Sequence, residues 1–84
     1  MVPLPTLSPY SDAVIKNSAD STHKLRVCQS WSERTCAKSS PRGELKPGED
    51  SATKFGWKDT DGFDLGDGWV KQHGCFRCMV TVTS

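Results

Sequence analysis

Turn-forming residues punctuate this chain so densely that no long helix fits into its second half. All seven glycines and two of the five prolines fall after residue 40. Few windows there approach the roughly 12 residues below which an isolated helix is marginal. Nowhere is a 3.6-residue period sustained. Period two takes its place. From Thr22 onward His23, Leu25, Val27, Gln29 and Trp31 point one way, and Lys24, Arg26, Cys28 and Ser30 the other. At the C-terminus Phe76, Cys78, Val80 and Val82 alternate with Arg77, Met79, Thr81 and Thr83. Such alternation marks half-buried strands. Ala13-Val14-Ile15 adds a short apolar run, closed by turn formers from Asn17 to Ser21. The pattern predicts an all-β fold, a small sandwich or barrel of five to seven short strands.

The connections are legible from turn chemistry. Ser32-Glu33-Arg34-Thr35 is short and polar, as a hairpin end would be. Ser40-Pro41-Arg42-Gly43 suits a type I turn, and Lys46-Pro47-Gly48-Glu49 a type II turn with Gly48 at positive φ. Asp61-Gly62 and Asp67-Gly68 are tight-turn dipeptides. Residues 1–12 read as an extended arm, because Pro3, Pro5 and Pro9 fix φ and remove backbone donors. Residues 13–84 then form one small β-domain. The arm's Val2, Leu4, Leu7 and Tyr10 have little reason to be ordered in a lone monomer, so they are candidate contacts with a partner.

The core is short of aliphatic bulk: Leu, Ile, Val and Phe together number 15 of 84 residues. Domains this small often rely on disulfides, a metal or a neighbouring subunit. Four cysteines and three tryptophans fit that need. Eleven basic and ten acidic side chains nearly cancel, which argues against a nucleic-acid binder. No apolar run approaches the ~20 residues that span a bilayer, so no membrane role is expected. Met1 to Tyr10 lacks the basic and apolar regions of a signal peptide.

Cys28 and Cys36 flank the predicted hairpin end and can face each other at disulfide distance. Cys75 and Cys78, at i and i+3, point to opposite faces of a regular strand. Four cysteines allow three pairings, and spacing does not choose among them. A zinc site of all four thiolates, or one including His73, is the rival reading. The second pair has zinc-like spacing and the first does not. Disulfides imply oxidising surroundings, whereas no export signal is evident. A protein made in the cytoplasm and later released, as a virus particle is, reconciles the two.

Asp59, Asp61, Asp64 and Asp67 cluster in a Gly-rich stretch, where carboxylates can hold calcium. The EF-hand register fails, since Trp57 and Gly68 would occupy ligand positions, and turn chemistry is the plainer account. His23 and His73 are the only histidines, and neither belongs to a recognisable nucleophile motif. The chain is therefore read as non-enzymatic and without a cofactor. Trp31, Trp57 and Trp69 read first as core fillers, with Trp31 also a candidate interface anchor.

Val27-Cys28-Gln-Ser-Trp31, Cys36, Pro47-Gly48 and the stretch Phe55-Gly-Trp57-Lys-Asp59-Thr-Asp61-Gly-Phe63 resemble small Cys- and Trp-containing β-proteins of actinobacteria and their tailed phages. The likeness covers about residues 25–70. It implies a local bridge between Cys28 and Cys36 and, for phage members, a virion accessory role such as decorating a capsid. Gln29-Ser30-Trp31 and Gly66-Asp67-Gly68 also resemble a secreted bacterial amylase inhibitor, although Ser32 and Glu33 replace the Arg and Tyr that follow its Trp. The expected function is docking on a coat or other virion protein, with a second copy of the chain also a candidate partner. The alternatives are a secreted disulfide-bonded inhibitor or binding domain and a zinc-stabilised interaction module.

Overall fold

A computed structural model describes residues 13–73 and 78–84. The Pro-rich arm, with Val2, Leu4, Leu7 and Tyr10, lies outside the described residues, as does Cys75. The described chain is all-β with one short helix. In order it runs β1 (Val14–Asn17), β2 (Leu25–Cys28), β3 (Trp31–Ser32), β4 (Thr35–Cys36), β5 (Arg42–Leu45), α1 (Ser51–Phe55), β6 (Gly62–Asp64), β7 (Trp69–Lys71) and β8 (Met79–Val82).

Four strands form an antiparallel sheet in the order β5-β2-β6-β7. Its inner face carries Leu25, Val27, Leu45 and Phe63, as their register requires. Against them pack Ile15 and Val82 from β1 and β8, a parallel pair joining the start of the domain to its end. Ile15, Leu25, Val27 and Leu45 are fully buried, and Phe55, Trp57 and Val80 close the rim of this core. The result is a small sandwich, with a third element, the β3–β4 hairpin, packed on β7.

Three local expectations meet a different outcome. The alternation from Thr22 to Trp31 is not one strand: it breaks at Gln29–Ser30, where Ser30 N–H bonds the Ser40 hydroxyl (2.8 Å). Leu25 and Val27 keep the buried face, but Trp31 crosses to the other one and lies over Gly62, the residue opposite Cys28. This break also raises the strand number to eight among the described residues. Asp61-Gly62 is not a turn, because Gly62 begins β6. Nor does Pro41 start one: the chain turns three residues earlier, with Ser40 N–H bonding the Ala37 carbonyl (3.0 Å). Other turns agree. Glu49 N–H bonds the Lys46 carbonyl (2.9 Å) with Gly48 at φ 89°, and Glu33 and Arg34 turn the β3–β4 hairpin.

The one-turn helix was invisible to periodicity because five residues contain no period. Its ends are written in caps. Asp50 accepts from the Thr53 N–H (3.0 Å), and Gly56 at φ 76° donates its N–H to the Ala52 carbonyl (2.9 Å). The Thr53 N–H holds the Asp50 carboxyl below its ordinary range. Glu49 is also lowered, first by the Lys46 N–H and then by Lys54, whose ammonium lies 3.0 Å away. Both folded values lie below the unfolded ones. Their stabilisation is therefore complete above the ordinary values of 4.5 and 3.8 and is lost as pH falls below them. Thermal melts between pH 6 and pH 2 should show stability falling from about pH 4.5 downward, and Asp50→Ala should remove part of that slope and about 1 kcal/mol at neutral pH.

Candidate interaction surface

The outer face of the four-stranded sheet is set by the same register. Arg26 stands opposite Glu44 on one side and Asp64 on the other, with Trp69 next in the row. Arg42, Cys28, Gly62 and Lys71 form the neighbouring row. Cys28 is covered by the β3–β4 hairpin, to which its disulfide with Cys36 ties it; their Cα atoms lie 6.0 Å apart. Both cysteines are essentially buried. Trp31 half covers the same side. A Cβ on Gly62 would meet its ring at 2.6 Å and the Val70 carbonyl at 2.9 Å. Gly62→Ala should therefore cost about 1–3 kcal/mol, read from the denaturant midpoint, because the backbone carbonyl of the adjacent strand cannot yield.

Beyond Trp31 the face is cationic and aromatic. The Arg26 guanidinium lies 4.7 Å from the Trp69 ring centroid and that of Arg42 lies 5.7 Å away. Arg26 also pairs with Asp64 at 3.3 Å. Asp64 is buried, and its second oxygen accepts from Gly66 N–H (2.6 Å) and Gly68 N–H (3.2 Å), shaping the β6–β7 loop. Arg42 Nη1 donates to the carbonyls of Lys38 (3.4 Å) and Ser40 (3.3 Å). Leu65, in the loop before Trp69, is half exposed.

The remaining candidate residues divide clearly. The four-thiolate zinc arrangement does not form, because Cys28 and Cys36 are bonded to each other; Cys78 is disulfide-bonded as well. The four aspartates do not converge either. Asp59 takes a hydrogen bond from Gln29 Nε2 (3.1 Å) and Asp61 takes one from Trp31 N–H (2.8 Å), while Asp64 serves its own loop. No group of three His, Cys, Asp or Glu suited to a metal occurs among the described residues. Asp61 Oδ1 is buried without a hydrogen-bond partner. Trp31 Nε1 donates to the Glu33 carbonyl (3.3 Å), which anchors the indole in its own hairpin. No helix of the described residues is long and apolar enough to cross a membrane.

Sequence reasoning missed the Arg26–Trp69–Arg42 cluster. Alternation placed Arg26 on a polar face, but residues 26, 42 and 69 meet only through strand pairing. The fold and this face define a small disulfide-bridged β-domain. No family model matches the chain, and neither a curated protein nor a solved structure matches it.

Proposed function

We propose that this protein is a non-catalytic docking module of a larger assembly, namely a phage virion, where it acts as a capsid decoration or minor capsid protein. The observation that carries the docking reading is the Arg26–Trp69–Arg42 cluster. It is held on the outer sheet face, and aromatic and Arg side chains are the groups that dominate protein interfaces. The buried polar side chains Asn17, Ser51 and Asp64, by contrast, join one element to another. The virion assignment draws on the resemblance over residues 25–70 and on the buried Cys28–Cys36 bond, which suits a particle released into oxidising surroundings. That bond equally favours a second reading, a secreted binding or inhibitor domain. Deleting residues 1–12 should abolish incorporation into the assembly while leaving the domain's thermal transition in place. Undiminished incorporation of the truncated chain would remove the arm from the docking model, and export of the protein by its native host would favour the second reading.

A further inference from the structure

Among the described residues two carboxylate ion pairs occur, Arg26–Asp64 and Lys54–Glu49. Arg42 belongs to neither. Among the described residues its guanidinium is oriented by two neutral carbonyls and the Trp69 ring, and no carboxylate there balances its charge. A second guanidinium, that of Arg26, is drawn to the same indole. Ring quadrupoles attract cations, and an anion entering beside them would relieve the repulsion between the two. Asp64 does not supply that second balance. It is buried and tied to Gly66 and Gly68, so it stays with Arg26. Lys71 lies on the same face in the row of Arg42, and the exposed acid there is Glu44.

We propose that this face binds an acidic peptide segment of a partner protein, with Arg42 receiving one of its carboxylates beside Trp69 and the Arg26–Asp64 pair. The inference rests on the docking reading and names the chemistry of the partner. Guanidinium forks match carboxylate geometry. A nucleic acid fits less well: three cations interspersed with Glu44 provide few phosphate contacts. Trp69 already carries guanidinium groups where a base would stack.

The test is a titration of the full chain with a capped eight-residue peptide of alternating Asp and Glu, followed by NMR at the Trp69 indole N–H and the Arg26 and Arg42 Nε–H. An Asn/Gln peptide of equal length and a single-stranded 12-nucleotide DNA are run alongside. The acidic peptide should move all three signals, more weakly as salt rises. Arg42→Gln should lower its affinity about tenfold, Glu44→Gln should raise it, and Lys54→Gln on α1 should leave it unchanged. Should Arg42→Gln disturb the fold, the gain from Glu44→Gln still decides the matter. Unmoved signals, equal loss from Lys54→Gln, or tighter binding of the DNA would overturn the proposal. Normal incorporation of Arg42→Gln into the assembly would overturn this face as the contact and leave the docking function standing, whereas failure of the wild-type chain to co-assemble would count against that function alone.

Discussion

Removing the Cys28–Cys36 bond is expected to lower stability by about 2–3 kcal/mol, the loop-closure entropy of a bridge with a sequence separation of 8. In a domain this small that is a large share of the total, and it corresponds to a fall in melting temperature on the order of 10–20 °C. The paired change Cys28→Ala with Cys36→Ala is the direct test. Both sites are buried, so alanine leaves no unsatisfied hydroxyl and adds only a small packing loss. The bridge also fastens the β3–β4 hairpin, and with it Trp31, onto the outer sheet face. Melting and Trp31 emission should therefore change together. A variant that melts within a degree or two of the wild type would show that Trp31 packing on Gly62, rather than the cross-link, holds the hairpin.

The second large effect is expected at Asn17. This side chain is fully buried at the end of β1. Its Nδ2 donates to the carbonyls of His23 (2.9 Å) and Leu45 (2.9 Å). The Ser84 hydroxyl lies 2.9 Å from its Oδ1 and 2.7 Å from the His23 carbonyl, so its one proton serves either at a time. Four segments thus meet at one amide: β1, the turn before β2, the end of β5 and the C-terminus. Asn17→Ala removes the amide donor shared by the Leu45 and His23 carbonyls and the acceptor facing Ser84, and leaves a void in its place; it should cost about 2–4 kcal/mol by denaturant unfolding. Asn17→Asp should cost more at pH 7, because a carboxylate would face two carbonyl oxygens. It should recover part of the loss in mild acid, where a protonated carboxyl can donate again. A loss for Asp that is flat with pH would mean that Asn17 acts by filling space.

These two sites differ in how they announce themselves. Cys28 and Cys36 were visible as a spacing across a polar hairpin end, because a short loop places its own ends together. Asn17 looked like an ordinary turn former after Ala13-Val14-Ile15. Nothing local marks it as the hub of four segments, since His23, Leu45 and Ser84 reach it through the sandwich. The aspartates illustrate the converse. Their clustering in sequence left a calcium site open beside the plainer reading of turn chemistry; of the four only Asp64 lies in a strand, and its carboxylate turns back on the Gly66 and Gly68 N–H groups of the following loop. Trp31 was assigned to the core face by counting in twos from Leu25. Two residues of irregular backbone at Gln29 and Ser30 broke the count and moved the indole across the sheet.

Much of the architecture follows from local chemistry alone. Period two in Leu25 to Cys28 and Met79 to Val82 dictates strands, Gly48 dictates the type II turn, and scarce aliphatic residues dictate a small, cross-linked core. Those preferences act between neighbours a few residues apart, so they survive without knowledge of the fold. Strand order is another matter. The parallel pairing of β1 with β8, the meeting of Arg26, Arg42 and Trp69, and the fourfold use of Asn17 all join residues tens of positions apart. Such contacts form only when burial of Ile15, Leu25, Val27 and Leu45 in one core sets which strands lie side by side.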